Sequence, residues 1–408
     1  MAEMKAGWRR LRFGELVTSA GATRKARGWT ATRAGVERYM GLEHLDANSP
    51  TIRRWGSPED VGENSDLRPF ESGDVILARR GIEQRKVGFA TFDGVASGHA
   101  LVFRARPGVL VPDFLPQFLL SDAFMGRVDQ FSAGSLSKTV NLSALLRVEF
   151  AVPPLEDQRR MARILSAIER TKQMHIDLID AAEHAYSAYS AESFRGEGHS
   201  ETRSHPRLGT VAAEWPVMSI GALTELSQYG LSTAPQDSGA FPILRMMNLV
   251  NGQAVENDLR FVDLTPAEFD TYRLDSGDVL FNRTNSIELV GRTGLYRLDG
   301  DHVFASYLVR LKLKTERVRP EYIVEYLNAP LGRQQVLSFA TKAISQANVS
   351  ASNLAKVLVP LPPLEVQDRI LRDLRRLRMA EEAAHERVRA LQIQGRFVRG
   401  EMEAMNTL

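Results

Sequence analysis

Pro153-Pro154-Leu155-Glu156-Asp157-Gln158 returns as Pro362-Pro363-Leu364-Glu365-Val366-Gln367, a shift of 362 − 153 = 209 residues. Proline is tolerated before or in the first turn of a helix but not inside one, so each pair marks a helix start, with Glu156 or Glu365 well placed against the helix dipole. After each pair the hydrophobic period changes. Met161, Leu165, Ile168, Lys172, His175, Ile179, Ala182, Tyr186 and Tyr189 follow spacings of four and three, as do Ile370, Leu374, Leu377, Glu381, Ala384, Val388, Leu391, Gly395 and Val398. That spacing predicts two long helices with coiled-coil seams, in which the polar members Lys172, His175 and Glu381 fix register. Each series ends near an Arg-Gly-Glu, where Gly196 or Gly400 can cap the helix.

Working outward, the repeat extends through both halves in one order. Glu71-Ser72-Gly73-Asp74-Val75-Ile76 matches Asp275-Ser276-Gly277-Asp278-Val279-Leu280, Val111-Pro112-Asp113 matches Arg319-Pro320-Glu321, and Trp8 is answered by Trp215. A fixed-period repeat of this kind means two copies of one structural unit. Short apolar runs such as Val75-Ile76-Leu77 and Val279-Leu280-Phe281 after Gly-Asp turns predict strands. The fold expected is therefore α+β: two tandem α/β domains, residues 1–155 and 208–363, with long helices at 156–197 and 364–401. Residues 198–207, polar and aperiodic, read as a linker, and 402–408 as a tail.

Composition excludes more than it selects. The 408 residues carry 52 Lys+Arg against 50 Asp+Glu, so a nucleic-acid surface has to come from local clustering. No cysteine is present to form a disulfide or a thiolate metal site, and no apolar run reaches membrane-spanning length. The expectation is a cytoplasmic protein with no bound metal or cofactor. The sequence shows no Gly-rich cofactor loop with a polar-Pro-Pro-aromatic turn, no phosphate-binding G-x-x-x-x-G-K-[ST] loop and no nucleophile elbow. A repeat without these motifs suits a binder.

Two pairs of loops have the chemistry to meet DNA. After the first Gly-Asp strand come Arg79, Arg80, Gln84, Arg85 and Lys86, and at the equivalent place in the second half come Asn282, Arg283, Asn285 and Arg292. Arginine can grip guanine bidentately and Asn or Gln can do so for adenine, while cations also neutralise phosphates. Later loops add Lys138 in the first half and Lys342 and Gln346 in the second. Each loop taken singly is equally an ordinary solvated turn. Equivalent places holding different residues are what one scaffold presenting two readers would look like.

With Gly277-Asp278-Val279-Leu280-Phe281-Asn282-Arg283-Thr284-Asn285-Ser286, both Pro-Pro-Leu-Glu-x-Gln segments and the helix after each, the chain resembles the specificity subunits of type I restriction-modification systems from about Trp8 to Glu401. The resemblance implies two target-recognition domains that bind double-stranded DNA, and two helices forming an antiparallel pair that separates them, with pseudo-twofold symmetry. It implies two methyltransferase subunits as partners, which carry S-adenosylmethionine, and restriction subunits that bring ATP-dependent translocation. This chain itself would have no catalytic residue. Two departures are visible: Arg79–Lys86 lacks the Asn-Arg-Thr-Asn character of its counterpart, and Val366 stands where an acidic residue is expected. Without the resemblance, a standalone DNA-modifying enzyme or a coiled-coil protein-binding scaffold would also fit.

Overall fold

A computed structural model describes residues 7–19, 36–61, 66–130, 132–133, 139–196, 198, 201–342 and 346–400. The chain divides into two compact units. One holds residues 1–177 and 384–408, the other 178–383, so each long helix gives one half to each unit.

In the first unit, the strands Val17–Ser19, Ala100–Ala105, Val75–Ala78 and Val87–Phe89 form an antiparallel sheet in that order. Val75–Ala78 is interior, and all four residues are buried. That is why its sequence is a continuous apolar run rather than an alternating one. Phe13, Phe103, Phe118, Phe124 and Phe150 pack at 5.1–5.6 Å beneath the sheet, mostly edge-on or tilted, with Phe124 and Phe150 stacked. The second unit repeats the plan. Thr224–Tyr229, Leu308–Leu313, Val279–Asn282 and Thr293–Leu295 are neighbours in one sheet, extended by Gln253–Ala254 and Leu249–Val250. In each unit a three-stranded sheet adjoins, and a short outer strand pairs with the one that leads into Pro-Pro: Arg9–Arg12 with Glu149–Val152, and Val217–Ser219 with Leu358–Pro360.

The Gly-Asp turns are built alike. Gly73 and Gly277 have φ of +93° and +97°, a region that a side chain disfavours. The following aspartate closes each turn, with Asp74 Oδ2 accepting from Glu71 N at 2.9 Å and Asp278 Oδ2 from Asp275 N at 2.8 Å.

The helices run Leu155–Ser193 and Leu364–Gly400. Every predicted seam position is buried or half-buried. In the second unit Tyr189 Oη donates to Asp373 Oδ2 at 2.9 Å, and Arg378 Nη2 donates to Tyr186 Oη at 2.7 Å. One number falls as the other rises, so the helices pair antiparallel. In the first unit Lys172 is buried and bonds Glu169 Oε1 at 2.7 Å, and Glu169 in turn accepts from the Ser49 hydroxyl.

Two boundaries differ from the sequence reading. The first helix stops at Ser193, with Gly196 at φ +72° three residues on, whereas Gly400 is the last residue of the described second helix. The stretch read as a linker supplies Thr202–His205, one strand of a hairpin with Gly209–Ala212. Polarity hid this strand because it is mostly exposed.

The motif glutamine holds each helix start. Gln158 Nε2 donates to the carbonyls of Pro153 and Val109 at 2.9 and 3.2 Å while its Oε1 accepts from Val111 N at 2.9 Å. Gln367 makes the same three bonds, to Pro362 O, Arg317 O and Arg319 N at 2.8, 3.2 and 2.8 Å. The preceding residue is free to vary: Asp157 pairs with Arg160 at 3.4 Å, while Val366 packs on the core. Gln158→Ala or Gln367→Ala is expected to cost about 1–3 kcal/mol for each buried backbone group it leaves unpaired. Denaturant titration measures this, and unchanged midpoints in both variants would remove the glutamine from this role.

Candidate nucleic-acid interface

The end of the central strand is wired identically in the two units. In the first, Arg79 N donates to His99 O at 2.8 Å and Arg79 O accepts from Val140 N at 3.0 Å. In the second, Arg283 N donates to Tyr307 O at 3.0 Å and Arg283 O accepts from Val349 N at 2.8 Å. Arg79 and Arg283 are therefore equivalent residues, each directly after the interior strand of its own domain.

Their surroundings differ. Arg79 Nε donates to Val140 O at 2.9 Å, and Arg79 lines an open cleft of about 510 Å³ with Arg68, Arg80, His99 and Thr139. Asp66 is the one carboxylate in that lining among the described residues. Burial, and then the charge of Arg79, lowers the Arg68 pKa, so cations are crowded where an anion would relieve them. Arg283 lies over the Tyr229 ring at 4.7 Å and reaches Asn348 Oδ1 at 3.4 Å. Asn348 Nδ2 donates to Thr284 Oγ1 at 2.9 Å, and the Asn285 side chain accepts from Ser286 N at 2.9 Å. Tyr229 and Tyr307 are both exposed. A half-buried arginine on an aromatic, bordered by amide and hydroxyl groups, presents the donors and acceptors that base edges and phosphates match.

The other sequence candidates divide by what they touch. Arg80, Gln84 and Gln346 are exposed. Arg85 is half-buried and paired with Asp122, and Lys86 Nζ donates to Leu42 O at 2.9 Å, so both brace the domain. Asn282 corrects the surface reading: it is fully buried and Nδ2 donates to Leu289 O at 3.3 Å. Arg292 is exposed but lines a different cleft, with Asn251, Asn328, Arg378 and Glu381. Lys138 and the Lys342 side chain lie outside the described residues. Arg68, Tyr229, Tyr307 and Arg333 were not singled out from the sequence. Arg333 holds the second loop through Val290 O and Ile287 O at 3.0 Å each and Glu288 O at 2.6 Å, a role carried by a helix well downstream with no local signal.

Behind Arg283, its strand is fixed by charge. Arg310, almost fully buried, donates to Asp278 at 2.6 Å and Asp275 at 3.0 Å. A hydrogen bond from Lys312 holds the Asp275 carboxyl below its usual range, whereas burial pushes Asp278 up despite Arg310. In the first unit Arg104 binds Asp74 at 2.7 Å and Glu71 at 2.9 Å.

The family model for the type I restriction modification DNA specificity domain matches residues 44–184 and 213–387, and the chain belongs to that family. It is 26% identical over 332 residues to the type I restriction enzyme EcoKI specificity subunit of Escherichia coli (strain K12), covering 79% of this chain and 68% of that one. It is 28% identical over 174 residues to the putative type I restriction enzyme MjaX specificity subunit of Methanocaldococcus jannaschii, covering 41% and 40%. The fold is shared with the type I restriction-modification S subunit from M. genitalium, at TM-score 0.60 and 11% identity over 98% of this chain and 97% of that one. A chain from a structural study of type I R-M complex assembly and conformational transition gives TM-score 0.59 at 18% identity over 98% and 99%.

Arg310→Met strands Asp278 without its buried counter-charge and is expected to destabilise the protein by about 3–5 kcal/mol. Adding Asp278→Asn should recover much of that loss, and a double-mutant cycle of unfolding free energies with no coupling would show that the pair does not hold the strand.

Proposed function

We propose that the chain reads two unlike half-sites of double-stranded DNA, one in each domain, for a type I restriction-modification complex, and leaves the chemistry to partner subunits. The observation that carries this reading is the equivalence of Arg79 and Arg283: identical backbone wiring, different neighbouring side chains. A shared frame with exchanged donors and acceptors is what two different base sequences require. The methyltransferase subunits implied by the family resemblance would bring S-adenosylmethionine, and restriction subunits ATP. A docking role for the helices is supported by Ile393 and Phe397, one turn apart and mostly exposed on the second long helix.

Selection of bound sites from a random duplex library by the assembled complex tests the reading. Arg79→Ala should relax one half-site only and Arg283→Ala the other only, each costing about 1–3 kcal/mol on the parent target if it reads a base. Unchanged selection by both variants would refute the assignment. Methyl transfer by the purified chain alone, abolished by a substitution in it, would instead make it an enzyme.

A further inference from the structure

The second unit carries another concentration of cations at the opposite end of the strand that bears Arg283. Gly277 sits in the turn before Val279–Asn282, and Arg283 follows it. Beside Gly277 an open cleft of about 530 Å³ is lined by Arg297, Arg319, Arg372 and Arg375, with the carboxylates Glu321 and Asp368. Two of the four arginines are neutralised. Arg297 pairs with Glu321, and Arg319 grips Asp368 with bonds of 2.9 and 3.0 Å. Arg372 and Arg375, both exposed and nearly one turn apart on the second long helix, leave the cleft with two guanidinium charges in excess.

The internal repeat shows that the fold does not need these residues. Counting from the motif glutamines, Arg372 corresponds to Arg163 and Arg375 to Ser166. Arg319 and Val111 are equivalent because each donates its backbone N–H to the motif glutamine. Strand register makes Arg297 the counterpart of Thr91, since Leu295 pairs with Val279 as Phe89 pairs with Val75. One arginine of four survives in the first unit, which folds on the same plan.

We propose that this cleft binds phosphate groups of a nucleic-acid backbone, independently of base sequence and at a place separate from the reading residues. The proposal goes beyond the proposed function, resting on it only for the presence of duplex DNA. Guanidinium forks match phosphate oxygens geometrically. Among the described residues that line the cleft, Leu371 and Pro320 are the apolar side chains, and no aromatic ring is present to anchor a protein partner. Because Gly277 and Arg283 stand at opposite ends of one strand, the phosphates held here belong to a stretch of nucleic acid other than the one read at Arg283.

The test is fluorescence anisotropy of the full-length chain in its assembled complex, on a duplex without the target, across about 50–200 mM salt. Arg372→Gln with Arg375→Gln should make the slope of log K against log salt shallower by about 0.9 for each phosphate that the arginine pair neutralises. Arg372→Lys with Arg375→Lys should retain most of the parent slope. Inorganic phosphate at matched ionic strength should not displace the duplex. An unchanged slope in the Gln pair overturns the proposal, and so does displacement by inorganic phosphate, which would mark a free-anion site. An unchanged slope with weakened methyltransferase-subunit binding would overturn it in favour of an acidic protein face. Arg283→Ala on target duplex probes the reading separately: unchanged discrimination with the slope difference intact means that the reading has failed, and lost discrimination without the slope difference means that the cleft has.

Discussion

One buried side chain per repeat sets the frame. Gln158 and Gln367 each offer a donor pair and an acceptor on one planar group, and they use them on three backbone positions drawn from two separate segments. The carbonyls of Pro153 and Val109, and of Pro362 and Arg317, lie outside the helix's own hydrogen bonds, and an unpaired buried carbonyl is costly. The glutamine satisfies them and at the same time ties the helix to the turn before Pro112 or Pro320. The direction in which the long helix leaves its domain follows from that tie.

Once the helix start and the Gly-Asp turn are fixed, the central strand has little freedom. Its carboxylates are neutralised from the neighbouring strand, by Arg104 in one unit and by Arg310 and Lys312 in the other. The strand then delivers Arg79 or Arg283 to the same place in its own domain. Residues with the same partners in both units build the scaffold, whereas those whose partners differ are available for recognition. Ala78 and Asn282 occupy equivalent strand ends, yet the asparagine is buried and its Nδ2 donates to Leu289 O, within its own loop.

Charge follows the same division. A chain with 52 basic and 50 acidic side chains has almost no global field. Its electrostatics are local, with buried pairs inside the domains and unpaired guanidinium groups at particular clefts. Arg85 and Arg372 show the contrast: one is tied to Asp122, and the other stands exposed on a helix.

The sequence by itself determined the repeat, the two helices with their seams, the Gly-Asp turns and the arginine at each strand end. Those features rest on local rules: proline cannot continue a helix, glycine alone accepts φ near +95° without strain, and seam periodicity survives in the letters. Only the tertiary structure decided which loop cations are available. Arg85 meets Asp122, Lys86 meets Leu42 O and Asn282 turns inward, while Arg68 arrives beside Arg79 and Tyr229 beside Arg283 from other strands. Likewise Thr202–His205 pairs as a strand although its side chains look like a linker's. The reason is physical. A side chain's hydrogen-bond partner is set by neighbours brought together from distant parts of the chain, and no local pattern in the sequence records which neighbours those will be.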